Sequence, residues 1–168
     1  MIAHLINIDT IKERGYTNYN VEDNIVATTI IRVQDTMLKP ILGTSLFNRL
    51  IEGVNNSDLN ANEETLLDDW ITPWLIASVD YRIIKHLTYE IRSKTAGTTR
   101  DEHMNPLTES EMNSLSDDLF KDIDVYRLQL IGYLKENCEL YPEYNNPDCE
   151  IGDILPDSGA KRVRIRFC

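Results

Sequence analysis

Apolar residues recur at helical spacing along residues 20–53, the longest uninterrupted pattern in the first third of the chain. Val26, Ile30, Val33, Met37 and Ile41 stand 4, 3, 4 and 4 residues apart, which is one stripe of an α-helix. Ile31, Leu38 and Leu42 widen that stripe into a core-facing surface. Asn20 is the expected cap, with Glu22 and Asp23 in the first turn, where the helix dipole favours negative charge. Lys39-Pro40 removes a backbone donor, so a kink or an end is expected there, and Gly43 supplies a C-terminal cap position. Thr44-Ser45 then opens a short return helix through Leu46, Phe47, Leu50 and Ile51. Pro40 and Gly43 therefore mark a structural corner between two helices.

Upstream, Asp9 is placed to cap a single turn through Ile11, Lys12 and Glu13 that Gly15 ends. Tyr16 and Tyr19 flank the loop that follows and are expected to pack onto the helices; a seam between copies is their alternative role. Downstream, the polar run VNNSDLNAN leads to Asn62 as the expected cap of another helix. Leu67, Trp70, Ile71, Trp74, Leu75 and Ser78 continue at helical spacing, followed by Val79, Arg82, Ile83 and Leu87. Pro73 should kink this helix unless Thr72 restarts it as a new cap. Trp70 and Trp74, one turn apart, read as core packing ahead of a ligand-stacking pair.

Residues 94–107 form a polar connection without an apolar period. Thr108 and Glu111 have capping-box spacing. Met112, Leu115, Leu119, Ile123, Tyr126, Leu130 and Tyr133 then run at spacings of 3, 4, 4, 3, 4 and 3, a helix expected to reach Asn137. Twenty-six residues of helix would span about 39 Å. After it, Pro142, Pro147 and Pro156 break any helical period, and residues 139–160 read as an extended arm. The last residues alternate Arg162, Arg164 and Arg166 with Val163, Ile165 and Phe167, the period of a strand. No second convincing strand exists to pair with it, so these six residues read as an assembly interface. The fold class expected is all-α: a bundle of about four to five helices, two or three of them long and proline-kinked. Residues 1–140 form the body and residues 141–168 the arm with its short β-strand.

Composition changes this picture in one respect. The formal net charge is −11, yet residues 1–160 carry 13 basic against 28 acidic side chains, a net of −15, and Lys161, Arg162, Arg164 and Arg166 end the chain at +4. An acidic body argues against general affinity for nucleic acid, which relies on clustered Lys and Arg. It suits a surface that duplex DNA slides past without sticking. No apolar run approaches the roughly 20 residues that span a bilayer. The opening MIAHLINIDTIKER lacks the features of a signal peptide, so synthesis in a cytoplasm is expected.

Chemistry is sparse. Cys138, Cys149 and Cys168 and the scattered His4, His86 and His103 show no metal-ligand spacing and read as ordinary thiols and histidines. The pairs Asp68-Asp69 and Asp117-Asp118 are adjacent, so on a helix their carboxylates do not face one another as an acid–base dyad would. No phosphate-binding loop, dinucleotide fingerprint, zincin motif or nucleophile elbow occurs. Neither an enzyme nor a cofactor is expected.

The run VQDTMLKPILGTSLFNRL resembles the adaptor, or head–tail connector, proteins of tailed phages, especially the neck ring proteins of crAss-like phages. The likeness covers roughly residues 5 to 140, and QDT, LKPILGT and the following L-F-N-R-L are its sharpest part. It implies a structural virion protein at the neck, made in the host cytoplasm and assembled as a dodecameric ring. The implied partners are other copies of itself, the portal protein, further neck or tail proteins, and duplex DNA passing without specific binding; no membrane is implied. The alternative is a small acidic regulatory or DNA-mimicking protein that binds a basic partner.

Overall fold

A computed structural model of the chain describes residues 4–17, 21–95, 109–145 and 154–157. Five helices carry these residues, and no strand occurs among them. Helix α1 is Ile8–Arg14. Helix α2 occupies residues 23–42 as three consecutive segments: Asp23–Val33 α-helical, Gln34–Leu38 π-helical and Lys39–Leu42 α-helical. Helix α3 is Thr44–Asn56. Helix α4, residues 61–95, repeats the arrangement with Ala61–Thr65, the π-helical Leu66–Ile71, and Thr72–Thr95. Helix α5 is Glu109–Glu136, followed by the 3-10 turns Cys138–Leu140 and Pro142–Asn145. No helix of the described residues is long and apolar enough to cross a membrane.

The centre is α4, which packs against α1, α2 and α5. Ile71, Trp74, Leu75, Ile76, Val79 and Ile83 of α4 are all buried. They meet Val26, Ile30 and Val33 of α2 and Ile123, Leu130 and Leu134 of α5 within the core layer. Removing each such side chain from water is worth about 1.5–3 kcal/mol, which is what holds helices of modest propensity together.

Both prolines lie inside their helices: α2 ends at Leu42, two residues after Pro40, and α4 runs on through Pro73. Each is preceded by a π turn. Lys39 donates its N–H to Gln34, and Thr72 donates its own to Leu67, five residues back in both cases. In a regular α-helix the ring of Pro40 or Pro73 would clash with the carbonyl four residues before it. The wider turn relieves that clash and lets the helix run on. Thr72 keeps helical dihedral angles, so it does not restart the helix.

The π turn also moves the apolar register of α2 by one position. Leu38 is fully buried, whereas Met37, on the expected stripe, is only partly so, and the polar Gln34 enters the core. There its Oε1 accepts the Leu5 N–H at 2.8 Å, tying the N-terminal segment to the helix. Three caps differ from expectation. Asn7, not Asp9, caps α1, and α2 starts at Asp23 with Glu22, not Asn20, at its cap position. Asn60, not Asn62, caps α4 in a full capping box with Glu63. Tyr16 projects into solvent instead of packing on the helices.

The body also extends past residue 140. Tyr141 and Tyr144, expected on an extended arm, are buried in the core by the two 3-10 turns. Trp70 stacks on Tyr133 with ring centroids 4.6 Å apart, so Trp70 and Trp74 both serve packing. The Tyr141 hydroxyl donates to the Asn62 carbonyl at 2.9 Å and lies 3.0 Å from the Tyr133 hydroxyl. Burial first, and the Tyr133 contact second, hold the Tyr141 phenol protonated above its ordinary range. A folded-state pKa raised in this way gives stability that is complete below about pH 10 and lost as pH climbs beyond it. Tyr144 is shifted in the same direction, mainly by burial. Tyr141→Phe should therefore cost about 1 kcal/mol at neutral pH and flatten, without abolishing, the alkaline fall in stability. Denaturant midpoints between neutral pH and pH 11 for both chains check this; equal slopes would refute it.

Candidate functional site

The corner and the segment that covers it form the most structured polar site outside the core. Helix α2 ends at Leu42, and Gly43 turns the chain with φ +79° and ψ 162°. This positive-φ, extended-ψ conformation is essentially confined to glycine. The corner leaves two backbone groups without helical partners: the Pro40 carbonyl near the end of α2 and the Thr44 N–H at the start of α3. Residues 154–157 return from far along the sequence and satisfy both. Asp157 donates its N–H to the Pro40 oxygen at 2.9 Å, and Ile154 accepts from the Thr44 N–H at 2.9 Å. The Ile154 N–H in turn donates to Thr44 Oγ1 at 2.8 Å. Pro156 lies over Gly43 so closely that a Cβ there would stand 2.8 Å from its ring carbons.

The far end of this strap is held by charge. The Arg127 guanidinium of α5 donates to Asp157 Oδ2 at 2.7 Å and, through Nε, to Asp124 at 3.2 Å. With side chains 29% and 35% exposed, Arg127 and Asp157 form a rim contact that fixes register more than it adds affinity. Arg127 also corrects the expected stripe of α5. Leu119, Ile123, Leu130 and Leu134 are buried, and the position that continues their spacing is Arg127, while Tyr126 is exposed.

Two further polar clasps fix other parts of the fold. Arg49 of α3 grips Glu63 with Nε and one terminal nitrogen, both at 2.8 Å, and reaches Asp58 at 3.0 Å. The bonds to Glu63, then those to Asp58, strengthen the guanidinium's hold on its proton. Glu63 is itself the capping-box residue of α4, so the clasp fixes α3 against the start of α4. Further along α4, Asp80 accepts the N–H groups of Tyr16 and Thr17, at 2.7 and 3.0 Å, and the Thr17 hydroxyl.

Among the described residues no group of His, Cys, Asp and Glu is placed to hold a metal ion. A wide groove of about 530 Å³ between the N-terminal segment and α3 is lined mainly by Leu5, Ile6, Ile8, Val54 and Leu67. His4, Asn7 and Asn55 complete its lining.

Of the residues singled out from the sequence, Pro40 and Gly43 come together at the corner. Arg162, Val163, Arg164, Ile165, Arg166 and Phe167, with the strand expected there, lie outside the described residues. Arg127, Asp157, Arg49 and Asp80 were not singled out, and Thr44 was expected only to open the return helix. Two of them carry a signal in the pattern: Arg127 interrupts the buried stripe of α5, and Asp80 interrupts the apolar run of α4.

No curated protein and no solved structure matches the chain. Residues 38–153 match a family of unknown function, and the match opens inside the corner run at Leu38. The chain belongs to the DUF6712 family.

Proposed function

We propose that this chain is a structural subunit of a phage head–tail connector: an adaptor ring that docks on the portal and lines the channel for the genome. The observation that carries the reading is the corner. The run VQDTMLKPILGTSLFNRL, which resembles the neck adaptors, folds as the end of α2, the Gly43 turn and the start of α3. Residues 154–157 are fastened onto that corner, and the basic run Lys161 to Arg166 follows them in the sequence. An acidic body, net −15 over residues 1–160, suits a wall along which duplex DNA moves without adhering.

In this role Arg162 to Phe167 would add to a strand or groove of a neighbouring neck protein, burying Val163, Ile165 and Phe167. The arginines would meet acidic surface and set the register of the contact. Electron microscopy of the protein mixed with its candidate portal is the test, with closed rings on the portal expected. Removing residues 159–168 should leave the helical circular dichroism signal intact and abolish ring assembly. A strict monomer that competes with DNA for a basic enzyme would overturn the reading in favour of an acidic regulatory or DNA-mimicking protein.

A further inference from the structure

We infer that α5 pairs with α5 of a second copy, antiparallel, through the face turned away from its own core. Lys121, Val125, Leu128, Gly132 and Glu136 stand 4, 3, 4 and 4 residues apart. At about 100° per residue they share about 80° of the helix circumference, opposite the buried Leu119, Ile123, Leu130 and Leu134. Two apolar side chains therefore project into solvent from the middle of this face, Val125 at 52% and Leu128 at 50% exposure. No packing contact within the chain requires the glycine beside them. A Cβ added at Gly132 would meet nothing within 4 Å, and glycine is a poor helix former. A bare position on an exposed helix admits the close approach of another backbone or side chain.

The same spacing makes the face complementary to itself. The midpoint of Val125 and Gly132 is also the midpoint of Lys121 and Glu136, between Leu128 and Gln129. A two-fold axis through that level sets each Val125 against the Gly132 notch of the other copy. It brings the two Leu128 side chains together and places each Lys121 beside Glu136 of the other copy. Lys121 already meets Asp118 at 2.8 Å, and its ammonium has three donors to share. Charge makes this placement matter, because two chains of net −11 repel each other wherever acidic surfaces meet. Here each end of the contact sets an ammonium against a carboxylate, so a second copy escapes that repulsion on this face. A single helix pair is a small interface, and the association expected is weak and reversible. A two-fold pair is closed and needs no portal, so its test and the connector test can fail independently.

Sedimentation equilibrium of the full-length chain should show monomer and dimer exchanging, with a Kd on the order of 0.1 mM. A chain that stays monomeric to about 1 mM overturns the pairing. Gly132→Gln fills the notch with a better helix former, so the melting temperature should hold or rise while the Kd rises about tenfold. An unchanged Kd would place the interface elsewhere and overturn the proposal. Lys121→Glu and Glu136→Lys each set like charges together at both ends, and each should weaken the dimer about tenfold. The chain carrying both has the wild-type net charge with the pairs exchanged, so its Kd should return to within about threefold of the wild type. No recovery would refute the antiparallel register. Cross-linking gives a second readout. With the native cysteines changed to serine, Leu128→Cys should form disulfide-linked pairs on oxidation, and the exposed Asn48→Cys on α3 should not. Equal linkage at both positions would overturn the proposal.

Discussion

Replacing Asp80 with alanine should lower the stability of the chain by about 3 kcal/mol, the largest effect of any single polar substitution here. The carboxylate is 1% exposed and receives three donors from Tyr16 and Thr17. Removing it leaves two backbone N–H groups and a hydroxyl facing a space that alanine cannot fill. Each buried donor without an acceptor costs about 1–3 kcal/mol. For a chain of this size the melting temperature should fall by about 6–12 °C. Asp80→Asn should lose less, because its amide oxygen still accepts while its NH2 opposes a backbone donor. Hydrogen exchange should then rise along α1 and the loop after it, since Gly15 sits against the carboxylate with no room for a Cβ. An unchanged melting temperature for Asp80→Ala would mean that this loop is held by other contacts.

Gly43→Val should destabilise the fold by about 2 kcal/mol or more and release the strap at the same time. Two causes act together. A φ of +79° with ψ of 162° is strained for any side chain, by about 1–3 kcal/mol. A Cβ at Gly43 would also press on Pro156 at 2.8 Å and on the Ile154 carbonyl at 3.2 Å. The causes can be separated. Pro156→Gly removes the steric conflict and leaves the backbone strain, so the Gly43→Val, Pro156→Gly chain should recover only part of the loss. Limited proteolysis after Tyr144 should speed up in Gly43→Val, and full recovery in the double variant would show that strain contributes nothing.

The helical layout was legible because burial leaves a period. Val26, Ile30, Val33, Leu119, Ile123 and Leu130 could be placed from spacing alone, and all are buried. Spacing failed where the period itself was interrupted. A π turn inserts one residue, so Leu38 took the position that regular spacing assigned to Met37. Caps were missed by two residues because Asn60 and Asn62, or Asn7 and Asp9, are chemically near-equivalent candidates at the same helix start. The strap was illegible for another reason. It is joined to the corner through main-chain atoms that every residue carries, and the Arg127–Asp157 ion pair links positions 30 apart. Pro40 and Gly43 announced that the chain would turn, but nothing in them announced what would cover the turn.

The π turns before Pro40 and Pro73 make the length of each helix as decisive as its composition. Deleting one residue from Gln34–Leu38 would restore regular α-helical geometry. Because the wide turn takes up one extra residue, the same deletion would keep Val26, Ile30 and Val33 on the face they share with Ile41. The cost would fall on the corner instead, where Pro40 would meet the carbonyl that the wider turn now keeps clear of its ring. The extra residue in each π turn is thus the room that a proline inside a packed helix requires.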